Sequence, residues 1–157
     1  MRTFSLIAIL LLISAINSTA QNSNKEDNAV MIENQSRYDF ASTVDSLSKV
    51  ILAGGWKILT THDLQESMKK NGKEVLPVKV LAICNPGLAY QVLSKDELRD
   101  VSPMLPCRIS VYEKSDGKTY VSRMNMPAFT GMIDAEAART VSQAFHEAEV
   151  FIKTVTL

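Results

Sequence analysis

One stretch, residues 84–108, constrains this chain more than any other. It opens with Cys84-Asn85-Pro86-Gly87-Leu88-Ala89-Tyr90 and closes with Leu105-Pro106-Cys107-Arg108. Asparagine followed by proline is a helix start. The Asn85 side chain can accept from orphan backbone N–H groups, and Pro86 gives up an N–H that has no partner at that position. The run before it, Val78–Cys84, is apolar on both sides of a strand, with Val80 and Ala82 on one side and Leu81 and Ile83 on the other, which suits the middle of a sheet. Residues 106–113 then read as a second strand. The two cysteines of the chain, Cys84 and Cys107, therefore stand at two junctions: one where a strand gives way to a helix, one where a loop gives way to a strand.

Periodicity places the remaining elements. Residues 29–33 have the apolar content of a first strand. Asp39 caps a helix over 40–53, where Phe40, Val44, Leu47 and Ile51 recur at i, i+4, i+7 and i+11. Gly54-Gly55 ends that helix, since glycine enters the left-handed region without steric cost. Residues 56–61 alternate as a strand, with Trp56, Ile58 and Thr60 on one side. Asp63 and Glu66 have capping-box spacing and open a short helix that stops at Asn71-Gly72. Residues 96–103 read as a polar return loop. Strands over 106–113 and 119–124 are joined through Asp116-Gly117, a tight-hairpin dipeptide. Residues 126–131 are irregular or a single turn. Asp134 caps a last helix reaching about Val155. Its buried stripe is Ala138, Val141, Phe145, Ala148, Ile152 and Val155, and its wet face is Ser142, His146, Glu149 and Lys153. The order predicts an α+β fold: a two-layer sandwich with a mostly antiparallel sheet of about five strands and helices packed on one face.

The beginning of the chain reads differently. Arg2 precedes an apolar run over 4–16 that only Ser5 and Ser14 interrupt, and Ser18-Thr19-Ala20 supplies small residues before a cleavage point. Residues 1–20 are the pattern of a secretory signal peptide, shorter than the roughly 20 apolar residues that span a bilayer. Residues 21–28 form a polar, disordered leader, and 29–157 one domain. The expected location is periplasmic or secreted, with no membrane association after cleavage. Without Arg2 the chain carries 16 basic and 17 acidic side chains, a net charge of about −1. That offers no basic face for nucleic acid and no polybasic patch for anionic lipid.

These residues resemble a known family, domain of unknown function 302. The likeness runs through Asp39-Phe40, Gly54-Gly55-Trp56 and Leu76-Pro77. It continues through Val80-Leu81-Ala82-Ile83-Cys84-Asn85-Pro86-Gly87-Leu88-Ala89-Tyr90 and Leu105-Pro106-Cys107-Arg108-Ile109-Ser110-Val111-Tyr112-Glu113. It covers nearly the whole chain after the leader, about residues 30–155. The resemblance implies a small α+β fold that tends to form homodimers, and it brings no established activity. Members also occur without signal peptides, so export changes the redox setting of the cysteines.

Several chemistries remain open for Cys84 and Cys107: two buried small hydrophobes, one structural disulfide, or a working thiol. Cys84 precedes a helix start whose N–H groups and dipole would lower a thiol pKa. The same helix start can hold a small anion, with Arg108 as counter-charge. A metal set of Cys84, Cys107 and His62 lacks the short paired spacings of zinc motifs, so no metal and no cofactor is expected. His146 falls on the wet face of the last helix. Tyr112, Tyr120 and Arg123 line an open sheet face in this reading. No phosphate loop, nucleophile elbow, His-Glu-x-x-His or Cys-x-x-Cys is present. The leading expectation is a homodimeric, non-catalytic binding domain for a small, anionic ligand at Cys84, Asn85, Cys107 and Arg108. A thiol-based redox protein or enzyme using the two cysteines is the first alternative. A structural protein-interaction module is the second.

Overall fold

Among the described residues, five strands hydrogen-bond in the order β1-β5-β4-β3-β2, and every neighbouring pair is antiparallel. They are β1 (Met31–Gln35), β2 (Lys57–Asp63), β3 (Val78–Cys84), β4 (Cys107–Glu113) and β5 (Thr119–Met124). The helices are α1 (Phe40–Ala53), α2 (Leu64–Lys70), α3 (Pro86–Leu93) and α4 (Ala135–Lys153), with 3-10 turns over Asp96–Met104 and Met126–Met132. This is a computed structural model, and it describes residues 29–157. The expected signal peptide (1–20) and leader (21–28) lie outside the described residues.

Asparagine or aspartate caps start each of the four described helices. Asp39, Asp63, Asn85 and Asp134 each accept from backbone N–H groups of the first turn. Such a cap contributes about 1 kcal/mol. Of the Gly54-Gly55 pair, Gly55 takes the left-handed conformation, at φ 81°. Gly54 is needed for space instead, since a Cβ there would stand 2.5 Å from the Phe151 ring.

Register assigns the two faces of the sheet. Leu81 pairs with Ile109 and Val111 with Val121, so these residues share one side. With Ile83 they join Leu47 and Ile51 of α1, Leu88 of α3, and Ala144, Ala148 and Ile152 of α4 in a single core. Fully burying a side chain of this size stabilises by about 1.5–3 kcal/mol. The two-layer α+β expectation therefore holds. The outer face carries Glu33, His62, Val80, Ala82, Arg108, Tyr112 and Tyr120 by the same register.

Five local expectations change. Trp56 does not open β2; its N–H closes α1 by donating to the Ile51 carbonyl at 3.2 Å, and its buried ring meets Phe151 edge-on. The polar loop over 96–103 is instead a 3-10 turn running Asp96–Met104. Leu98 and Val101, three apart, fall on one side of it and pack with Val92 and Ala137 in a second apolar cluster. On α4 the buried stripe centres on Ala137, Val141, Ala144, Ala148 and Ile152, leaving Phe145 half-buried, and the helix stops at Lys153. Glu149 leaves the wet face and is nearly buried. Arg123 leaves the open sheet face, because strand alternation puts it with Val121 rather than with Tyr120.

Candidate functional site

Strand β3 ends at Cys84 beside the start of β4 at Cys107, because Ile83 is the register partner of Cys107. The sequence-predicted site residues thus gather at one end of the sheet, though not in one pocket. Two cavities flank Pro106 and Cys107. The nearer one, of about 20 Å³, is lined by Cys84, Asn85, Cys107, Trp56 and Leu88, among others. The farther one, of about 70 Å³, is lined by Cys107, Arg108, Ile109, Arg123, Met124 and Phe145, with further side chains from α4. Cys107 belongs to both, Cys84 and Asn85 only to the nearer, Arg108 only to the farther.

On the near side, the start of α3 is already satisfied. The Asn85 Oδ1 accepts from the N–H of Gly87 at 3.0 Å and of Leu88 at 3.3 Å. Those are two of the N–H groups an anion would use at a helix start. Gly87 has no Cβ to crowd that oxygen, which a side chain would meet at 3.3 Å. The Asn85 amide donates in turn to Glu147 Oε2 at 3.2 Å, and Trp56 Nε1 donates to the same oxygen at 3.0 Å. Gln143 donates to the other carboxylate oxygen at 2.9 Å. These bonds, led by that from Gln143, hold the Glu147 carboxyl below the usual range. Glu147 thereby ties α4 to the cap of α3 and to the end of α1.

The thiols lie in this setting without a disulfide. Burial pushes the Cys84 thiol up. Burial, with a smaller contribution from Cys84, pushes the Cys107 thiol up to about 11. Both effects oppose the activation expected from the helix dipole, because desolvation penalises the thiolate. The weighed set of Cys84, Cys107 and His62 does not come together, and no three His, Cys, Asp or Glu side chains converge among the described residues. His62 pairs with Val80, whereas Cys84 pairs with Lys57, five residues away along β2. That is about 17 Å of strand. His146 is exposed, with Nδ1 at 2.6 Å from the Ser142 carbonyl oxygen.

On the far side, the wall holds a feature that the spacing of residues had not indicated. Arg123 donates through Nε to Glu149 Oε1 at 2.6 Å and through Nη2 to Glu149 Oε2 at 2.5 Å. Its Nη1 donates to Asn34 Oδ1 at 2.5 Å. The pair is 9% and 15% exposed at its side chains, so the charges face one another in a largely dry wall. The remaining lining is apolar and rich in thioether: Met104, Met124, Met126, Ile109, Phe145 and Ile152. Arg108 is exposed and its guanidinium has no partner among the described residues. This cavity has walls that attract apolar matter, a neutralised ion pair, and one uncompensated positive charge among its lining residues.

On the outer face, Tyr112 and Tyr120 stack at 6.2 Å. Tyr112 donates to Glu33, Tyr120 donates to Asp116 at 2.7 Å, and Lys114 sits 4.0 Å over the Tyr120 ring. Each polar group of this patch has a partner, so it is a satisfied surface rather than an open site. No described helix is long and apolar enough to cross a membrane.

Comparison with known proteins gives one family. The model for Domain of unknown function DUF302 matches residues 32–154. No curated protein matches. Among solved structures, the chain is similar to the crystal structure of uncharacterized conserved protein DUF302 from Bacillus stearothermophilus. The two share 20% identity with a TM-score of 0.71, over 79% of this chain and 96% of that one.

Proposed function

The chain belongs to the family of Domain of unknown function DUF302, and from that premise we propose that it is a non-catalytic binding domain for a small molecule seated in the far cavity. The proposal includes the export expected from residues 1–20 and the homodimer implied by the family resemblance. One observation carries it: the space beside Cys107 is divided unequally, about 70 Å³ against about 20 Å³. The smaller volume admits about one water, the larger about five. In this proposal Cys107 and Arg108 border the ligand, while Cys84 and Asn85 are structural neighbours of its seat. The raised thiols weigh against the redox alternative, since a working thiol must ionise near neutral pH.

The test is saturation-transfer NMR with two probes, 1-hexanol and hexanoate. At least one should bind the wild type, and filling the cavity by Ala148→Leu should abolish binding. Met126→Trp fills from the other wall and serves as second variant if the first loosens the fold by circular dichroism. Undiminished binding to both fillers, or no binding by either probe, contradicts the seat. Light scattering on the exported protein should give twice the mass of residues 21–157; a monomer contradicts the dimer.

A further inference from the structure

Resting on that seat, we infer that the ligand is a small monoanion with an apolar body, lying with its body among the methionines and its anionic head toward Arg108. Among the described residues Arg123 is the only cation in the largely buried wall, and it is committed through Nε, Nη1 and Nη2 to Glu149 and Asn34. An anion entering the interior would have to break a nearly buried two-bond pair and leave Glu149 unpaired, which low dielectric forbids. No buried side-chain nitrogen or oxygen among the described residues is without a partner, so no polar atom in the wall asks for a ligand. The interior therefore accepts only an apolar body. Its size, about five waters, fits a short chain or a small ring.

The head group follows from the remaining charge. Arg108 belongs to the outer face by register and borders the cavity at the end of the sheet, and among the charged lining residues Arg123 and Glu149 cancel while Arg108 does not. Arg108 is exposed, so a carboxylate meeting it stays partly hydrated and loses little on binding. A guanidinium recognises a planar oxyanion by paired N–H bonds, which an alcohol cannot return. Met124, itself 42% exposed, leads from the surface to the interior. Met104 and Met126 can follow either a linear or a cyclic body, because an unbranched thioether adapts its rotamers.

The experiment compares hexanoate, 1-hexanol and hexylammonium at neutral pH against wild type and Arg108→Gln, by NMR titration. The expected result is hexanoate tighter than hexanol by about two- to fivefold, hexylammonium weakest, and the preference lost in Arg108→Gln. Hexanol equal to hexanoate, or hexylammonium tightest, overturns the ligand class while leaving the seat standing. Full hexanoate preference in Arg108→Gln overturns the assignment of the head to Arg108. If no probe binds, or the cavity-filling variants bind all three unchanged, the seat itself falls.

Discussion

Glu147 and Glu149 stand two residues apart on α4 and serve opposite sides of Cys107. Glu147 collects Trp56, Asn85 and Gln143, all neutral donors, and its neighbourhood closes to about 20 Å³. Glu149 meets a charged partner, Arg123, and beside that pair the chain leaves about 70 Å³ open. The difference shows that a helix start is not a vacant anion site merely because it is a helix start. On the near side the cap has already taken the N–H groups. On the far side the ion pair takes itself out of play and leaves an apolar cavity with one exposed arginine.

The largest predicted effect removes the far node. Glu149→Ala strands the Arg123 charge in a nearly dry wall and should cost about 3–5 kcal/mol in urea unfolding. Arg123→Met combined with Glu149→Leu should recover most of that loss, because the apolar pair leaves no unpaired charge. If Glu149→Ala costs less than 1 kcal/mol, the wall is wet and the comparison fails.

Next is the thiol shared by both cavities. A thiol whose folded pKa is raised stabilises the fold fully below its unfolded value of about 9 and loses that contribution as pH rises through about 11. The wild type should therefore lose about 2 kcal/mol more than Cys107→Ala between those values. Identical pH profiles would contradict the burial of Cys107. In the native protein at pH 8, iodoacetamide should modify Cys84 before Cys107, since Cys107 is the more strongly raised of the two.

The smallest effect tests the near side. Asn85→Ala should cost about 1 kcal/mol and speed amide exchange at Gly87 and Leu88, whose N–H groups lose their acceptor. Exchange unchanged at both amides would mean that the cap is not what closes the helix start.

Much of the framework was legible because local chemistry decides it. The strand Val78–Cys84, the strand Thr119–Met124 and the Asp116-Gly117 turn form as expected, with Gly117 at φ 74°. All four caps act as read from the sequence. The antiparallel order, by contrast, rests on which strands meet, and only the β4-β5 hairpin is signalled locally. Trp56 was misplaced because its ring is held by Phe151, 95 positions away, and no local pattern records that. Glu149 looked like a wet-face residue because helical periodicity gives position and not partner. Alternation along β5 does place Arg123 with Val121, so half of the ion pair was readable. The far cavity was not, because its walls come from two 3-10 turns, two strand ends and α4, which meet only in the folded chain.

The most direct measurement is a ¹⁵N-resolved titration of the folded protein with hexanoate. The account predicts saturable shifts at the amides of Cys107, Arg108, Ile109, Phe145 and Ala148, with Gly87, Leu88 and Ala89 still. Shifts confined to Gly87, Leu88 and Ala89 would put the ligand at the helix start and contradict it.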